Sequence, residues 1–198
     1  INENGIIVSD NDTDYTVSKI FIVQDYVDKG YDILNTIEFI YNNTKAGKIL
    51  PLIGNHENYV YKRLKGEVKP SDIDSKFFDS VLLLEDPNNQ KYKEMFLSLI
   101  SVSKVFYRHK NFCVNHAPCE LKYLGKLDNK SLKEQRNFMY PKFDETQSLE
   151  ENIKSVEQSI RPLVENKYNT YNSKTFVWGH VAMKNYKKFD NVYMIDTG

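Results

Sequence analysis

Two short apolar runs with an amphipathic stretch between them constrain this chain most. Lys19-Ile-Phe-Ile-Val23 and Ile49-Leu-Pro-Leu-Ile53 are β-rich, the pattern of strands buried on both faces. Between them, Ile33, Leu34, Ile37, Phe39, Ile40 and Tyr41 read as the apolar face of a helix that stops near Gly47. Strand, helix, strand is a βαβ unit, which makes the strands parallel and opens both C-terminal ends onto one crevice. The residues just past those ends are polar: Gln24 to Gly30, then Gly54-Asn-His-Glu57. Functional groups of open α/β sheets gather at such ends, so an α/β fold with its site there is expected.

The alternation continues. Residues 58–103 read as mostly helical and lid-like, punctuated at Lys69-Pro70-Ser71 and Asp86-Pro87-Asn88-Asn89. Val105-Phe-Tyr107 and Phe112-Cys-Val114 suggest a hairpin whose second strand runs into Asn115-His116. Residues 120–172 are polar, with a helix expected over Ser148 to Val164. Thr175-Phe-Val-Trp178 is a strand delivering Gly179-His180, and Asn191 to Ile195 is the last strand, ending at Asp196-Thr-Gly198. With no internal repeat and no low-complexity linker, residues 1–198 are expected to form a single domain with helical insertions near 58–103 and 120–172.

Charge narrows the partners. The 27 Lys+Arg balance the 27 Asp+Glu, which argues against a nucleic-acid coat or a polybasic membrane binder. No apolar run approaches the roughly 18 residues of a membrane span, and no signal peptide is visible. Cys113 and Cys119 form neither a disulfide framework nor a zinc pair, so a reducing, cytoplasmic setting without a disulfide partner is expected. The balance hides a gradient: acids cluster at Glu3, Asp10, Asp12, Asp14, Asp25 and Asp28, and bases over 104–142. An acidic cluster beside a basic segment suits a metal site that meets an anion, although two solvated faces would look the same.

Four strand ends carry one kind of chemistry: Asp25 and Asp28, Asn55 and His56, His116, and His180. One histidine past a strand is more often a satisfied surface residue. Together they offer carboxylate, amide oxygen and imidazole, donors that suit Mn, Fe, Zn or Mg. His109 precedes a strand and is assigned a structural place.

Gln24-Asp-Tyr-Val-Asp-Lys-Gly30, Gly54-Asn-His-Glu57, Val114-Asn-His-Ala117, Trp178-Gly-His180 and Ile195-Asp-Thr-Gly198 resemble the ordered motifs of calcineurin-like metallophosphoesterases. The match is to the phosphoprotein-phosphatase branch, which includes the serine/threonine protein phosphatases. The resemblance implies a β-sandwich flanked by helices and two divalent metal ions, manganese first, with iron, zinc or magnesium as the other candidates. It implies that Asp25 bridges the metals and that Asn55, His116 and His180 complete the second. His56 would be the general acid, oriented by Asp28, and Lys29 and Asn55 would bind substrate phosphate. Two ions about 3.5–4 Å apart, as in-line displacement at phosphorus uses, need a shared anion such as Asp.

The pattern also departs from the family. Gln24 replaces a Gly, Lys29 replaces an Arg and loses its bidentate fork, and Pro118 replaces a Gly. The family's first motif, an Asp-x-His upstream of the bridging Asp, is not found; residues 1–8 read as the end of a helix leading into a loop. A chain truncated upstream is therefore expected. Asp10-Asn-Asp-Thr-Asp14 does not substitute as a calcium loop, which wants Gly and Glu where Tyr15 and Phe21 stand.

A second cationic clamp for phosphate is sought in Arg136, Arg161 or Arg63. Arg136-Asn-Phe-Met-Tyr140 resembles an Arg-x-x-x-Tyr element of the phosphatase modules of bacterial polynucleotide kinase-phosphatases, which favours Arg136. Ala182 stands where nuclease-type relatives carry a second His, which favours a phosphatase-like site. The expected activity is metal-dependent hydrolysis of phosphomonoesters on a phosphorylated protein. A nucleotide or nucleic-acid end, a 2′,3′-cyclic phosphate and a dinucleoside polyphosphate are the alternative substrates, and a non-catalytic binding protein is the alternative class.

Overall fold

The computed structural model describes residues 6–8, 14–16, 20–22, 25–28, 30–68, 78–108, 112–119, 139–140, 144, 146–155, 158, 175–181, 184–189 and 192–196. The first β-α-β unit forms where the runs place it. Strand β3 (Ile20–Ile22) pairs in parallel with β4 (Ile49–Pro51) in the register Ile20↔Ile49, and helix α1 (Ile33–Lys45) makes the crossover. Asp32 caps α1 by accepting from Asn35 N at 3.2 Å, and its apolar stripe buries Ile33, Ile37 and Ile40. Before this unit, β1 (Ile6–Val8) and β2 (Asp14–Thr16) form an antiparallel pair. Of the helix end and loop expected over residues 1–8, residues 6–8 are instead a strand, as suits their β-branched Ile-Ile-Val sequence, and 1–5 lie outside the described residues.

Helices follow β4: α2 (Asn55–Leu64), α3 (Phe78–Glu85), a 3₁₀ turn (Pro87–Asn89) and α4 (Gln90–Val102). This segment is not a free lid. Val60, Val81, Leu84, Phe96 and Leu99 share one buried cluster with Ile33, Ile37, Ile40 and Ile49. A fully buried side chain of this size contributes about 1.5–3 kcal/mol, so these helices carry part of the domain's core.

The second half builds a five-stranded mixed sheet. β5 (Phe106–Arg108) and β6 (Phe112–Asn115) form the expected hairpin, and β7 (Thr175–Trp178), β8 (Lys187–Phe189) and β9 (Val192–Met194) complete the order β5-β6-β7-β9-β8. β6, β7 and β9 are mutually parallel. A bridge between Leu52 and Lys104 ties the β4 end to the start of this sheet, with Ile53 N donating to Lys104 O at 2.9 Å. Phe176, Trp178, Cys113, Val192 and Met194 are buried in its core. The chain is therefore an α/β protein, as expected. Of the helix expected over Ser148 to Val164, residues 149–155 are helical, while 159–164 lie outside the described residues.

Candidate metal centre and histidine–aspartate pair

The residues that follow the parallel pairs β3–β4 and β6–β7 come together. Helix α2 begins at Asn55, four residues past the end of β4, so its N-terminal N–H groups face the residues gathered there. His56 N donates to Asp25 Oδ1 at 3.2 Å, setting the positive end of the helix against a carboxylate. From the other sheet, Gly179 N donates to His116 O at 2.8 Å, which locks the ends of β6 and β7 side by side.

Three donor atoms meet in a triangle. His116 Nε2 lies 2.8 Å from Asn55 Oδ1 and 2.8 Å from His180 Nδ1, and His180 Nδ1 lies 2.9 Å from Asn55 Oδ1. Asp25 Oδ1 joins them at 3.5 Å from His116 Nε2, and the ligand atoms of Asp25, His116 and His180 all lie within 4.8 Å of one another. Asn55 Oδ1 only accepts, so protons can satisfy at most two of the triangle's three contacts; the third sets lone pair against lone pair or N–H against N–H. A central cation removes that conflict, because all three atoms can turn lone pairs toward it. Cis ligands at about 2.0–2.1 Å from a six-coordinate ion stand about 2.9 Å apart, against about 3.4 Å for a tetrahedral one. The three edges of the triangle lie near the former, and the 3.5 Å edge from His116 to Asp25 lies near the latter. Asp25, Asn55, His116 and His180 could thus hold a divalent cation.

Beside this cluster, His56 Nδ1–H donates to Asp28 Oδ2 at 2.9 Å, and His56 Nε2 lies 3.5 Å from Asp25 Oδ2. The Asp28 side chain is 0% exposed and that of His56 is 6% exposed, so the contact is shielded from water. Asp28 and His180 both have left-handed backbones, with φ of 71° and 68°. That region is uncommon for residues other than glycine, and such strain concentrates at functional sites. Here it turns the carboxylate toward His56 and the imidazole toward His116.

Two residues of the same motif acquire structural roles that their sequence positions did not announce. Glu57 is buried at 0% exposure and accepts from Tyr26 N at 2.7 Å, Val27 N at 3.3 Å and Gly54 N at 2.9 Å. It ties the turn after β3 to the start of α2; the signal that could have found it is the capping-box spacing, three residues after the cap. Burial, then the nearby Asp25 carboxylate, push the Glu57 carboxyl well above its ordinary range, against the pull of the backbone N–H groups. Gly54 is required by close approach: a Cβ there would overlap Asp25 Oδ1 and stand 2.7 Å from Glu57 Oε2 and 3.0 Å from His116 Cε1.

The structure brings together Asp25, Asp28, Asn55, His56, His116 and His180. Lys29, Arg136, Arg161 and His109 lie outside the described residues, as do Gln24, Asp10, Asn11, Asp12 and Thr13. Arg63, a further clamp candidate, pairs with Glu85 at 3.2 Å across α2 and α3. Cys113 and Cys119 are both buried, and Asn115 Nδ2 donates to Cys119 Sγ at 3.5 Å. Among the described residues, no helix is long and apolar enough to cross a membrane.

Fold and site together define an α/β protein with a donor cluster and a histidine–aspartate pair at the ends of parallel strands. Neither a protein-family model nor a curated protein matches the chain. Among solved structures, a cold-active protein tyrosine phosphatase is similar, with a TM-score of 0.51 at 15% sequence identity. The match covers 89% of this chain and 58% of that one, so this chain spans less than two thirds of the phosphatase's length. At that identity the likeness is one of fold.

Proposed function

We propose that this chain is a calcineurin-like metallophosphoesterase that hydrolyses phosphomonoesters with water as the nucleophile. The observation that carries the reading is adjacency: the cluster of Asp25, Asn55, His116 and His180 stands directly beside the His56–Asp28 pair. The donor set of two imidazoles, an amide oxygen and a carboxylate fits manganese, iron, zinc or magnesium. Those four residues would hold one ion, and Asp25, with its second oxygen toward His56, would be shared with the other. Bound divalent ions supply Lewis acidity toward the phosphoryl oxygens and the attacking water.

The chain's own groups do the rest. Asp28 accepts the Nδ1 proton of His56, which fixes the ring and leaves Nε2 on the Asp25 side. Protonated at Nε2, His56 can give its proton to the leaving oxygen, and Asp28 stabilises the imidazolium before transfer. The N-terminus of α2 steadies Asp25 through the His56 N–H. Lys29 and Arg136 are the proposed phosphate contacts. The fold likeness to a solved phosphatase supports phosphoester hydrolysis in general. The serine/threonine preference rests on the motifs.

The test is turnover of p-nitrophenyl phosphate by the purified chain with Mn²⁺, beside His56→Ala. Metal-dependent turnover that falls by about 10²–10⁴-fold in the variant is expected. Turnover that ignores either the metal or the substitution would sink the reading, and binding of phosphorylated ligands without turnover would favour a binding protein. Phosphoserine and phosphotyrosine peptides and a 2′,3′-cyclic nucleotide, compared by kcat/KM, separate the substrate classes.

A further inference from the structure

Asp28 is held at both its backbone and its side chain by one distant residue. Its N–H donates to Ser80 Oγ at 2.7 Å, while its Oδ1 accepts from Ser80 N at 3.3 Å. Its other oxygen, Oδ2, faces His56 Nδ1. Ser80 is 0% exposed and sits in the first turn of α3, where backbone N–H groups have no acceptor within the helix and are available to a carboxylate. The two contacts do different work. The Oγ contact holds the Asp28 backbone in the left-handed conformation that aims its carboxylate at His56, and the N–H contact steadies Oδ1 once it is so aimed. Together they leave Oδ2 a single direction, toward His56.

We infer that Ser80 is a positioning residue: acting through Asp28, it holds His56 in the Nδ1–H tautomer with Nε2 toward Asp25. That this serves proton donation to a leaving group rests on the proposed phosphoesterase reading; the tautomer itself does not. No local pattern in α3 marks Ser80, which is 52 positions from Asp28. The arrangement makes α3 part of the site's support, and couples the packing of Val81 and Leu84 to the orientation of His56.

The test uses the whole chain with ¹⁵N-labelled histidine, and long-range ¹H–¹⁵N spectra of the ring nitrogens, with His56 assigned by loss of its signals in His56→Gln. The wild type should show His56 as the Nδ1–H tautomer, and Ser80→Ala, matched to it in far-UV circular dichroism, should lose that signature. An unchanged signature in folded Ser80→Ala overturns the inference. A measurement on the wild type needs no variant: the Asp28 amide should exchange as slowly as the interior amides of α4, and fast exchange overturns the clamp. Kinetically, Ser80→Ala should lower kcat about tenfold more for phenyl phosphate than for p-nitrophenyl phosphate, since only the poorer leaving group needs the proton, with KM little changed. An equal loss on both esters counts against positioning. A chain that shows the tautomer and its Ser80 dependence but no turnover would sink the proposed activity alone; turnover with a tautomer indifferent to Ser80 would sink this inference alone.

Discussion

His116 and His180, 64 positions apart, bring Nε2 and Nδ1 to 2.8 Å with their rings at 81° to each other, and Asn55 Oδ1 closes the triangle. Three nitrogen and oxygen atoms at that spacing conflict as a set of hydrogen bonds and agree as a set of ligands.

Mn²⁺ should raise the melting temperature of the chelator-treated protein, because it binds only when the strand ends have come together. At a free concentration about a hundred times Kd the gain is about 2.7 kcal/mol. His180→Ala and Asn55→Ala should each abolish most of it. Differential scanning fluorimetry across a Mn²⁺ titration makes the measurement, and a melting point indifferent to Mn²⁺ would rule out the cation site.

Gly54→Ala should both destabilise the fold and weaken cation binding. Its backbone φ of −89° suits any residue, so the cost is purely one of space. The new methyl group must displace the Asp25 carboxylate from among the buried groups around it. Overpacking of this kind costs about 1–3 kcal/mol. Urea unfolding with and without Mn²⁺ reads both effects; a variant equal to wild type in both would contradict the close approach at Gly54.

Glu57→Gln should cost about 1–3 kcal/mol, although the side chains are nearly the same size, because an amide nitrogen replaces one of the two carboxylate oxygens. Glu57 Oε1 serves Tyr26 and Val27 and Oε2 serves Gly54, so either orientation of the amide leaves a buried N–H facing a donor. Chemical denaturation at neutral pH in the absence of metal tests this, and an unchanged midpoint would refute it.

Away from the site, Ser148 and Glu151 form a reciprocal cap: Ser148 N and Oγ donate to Glu151 Oε2 at 2.8 and 2.6 Å, and Glu151 N donates to Ser148 Oγ at 3.3 Å. The Ser148 hydroxyl first, then its N–H, hold the Glu151 carboxyl below its ordinary value. A lowered folded-state pKa means that the cap contributes above the unfolded-state pKa and is lost as pH falls through the folded one. Helix 149–155 should therefore fray on acidification, and Ser148→Ala should return the Glu151 pKa toward its ordinary value. Carboxyl ¹³C shifts followed through a pH titration provide the check; a Glu151 that titrates normally in the wild type would contradict the cap.

What could be read in advance is what lies close along the chain. Apolar runs at 20–22, 49–51, 112–115 and 175–178 became strands, and the polar residues immediately after them became the site, because a strand's periodicity and its end are local properties. β8 is not legible because Lys187-Lys-Phe189 has no apolar run; among the described residues it is an edge strand paired with β9, a place where lysines are common. β1 does not stand out as a strand in the sequence, because three residues are too short a run to show without their partner β2.

The sequence by itself determined which donors this protein owns and that β-type strands deliver them: Asp25, Asp28, Asn55, His56, His116 and His180. Tertiary structure alone decided how they meet. The triangle of Asn55, His116 and His180, the left-handed turns at Asp28 and His180, and the grip of Ser80 on Asp28 each join residues many tens of positions apart or depend on such a joining. Hydrogen-bond geometry is set to tenths of an ångström by the packing of whole elements, whereas residue type and spacing report only a side chain's chemistry and the face it occupies.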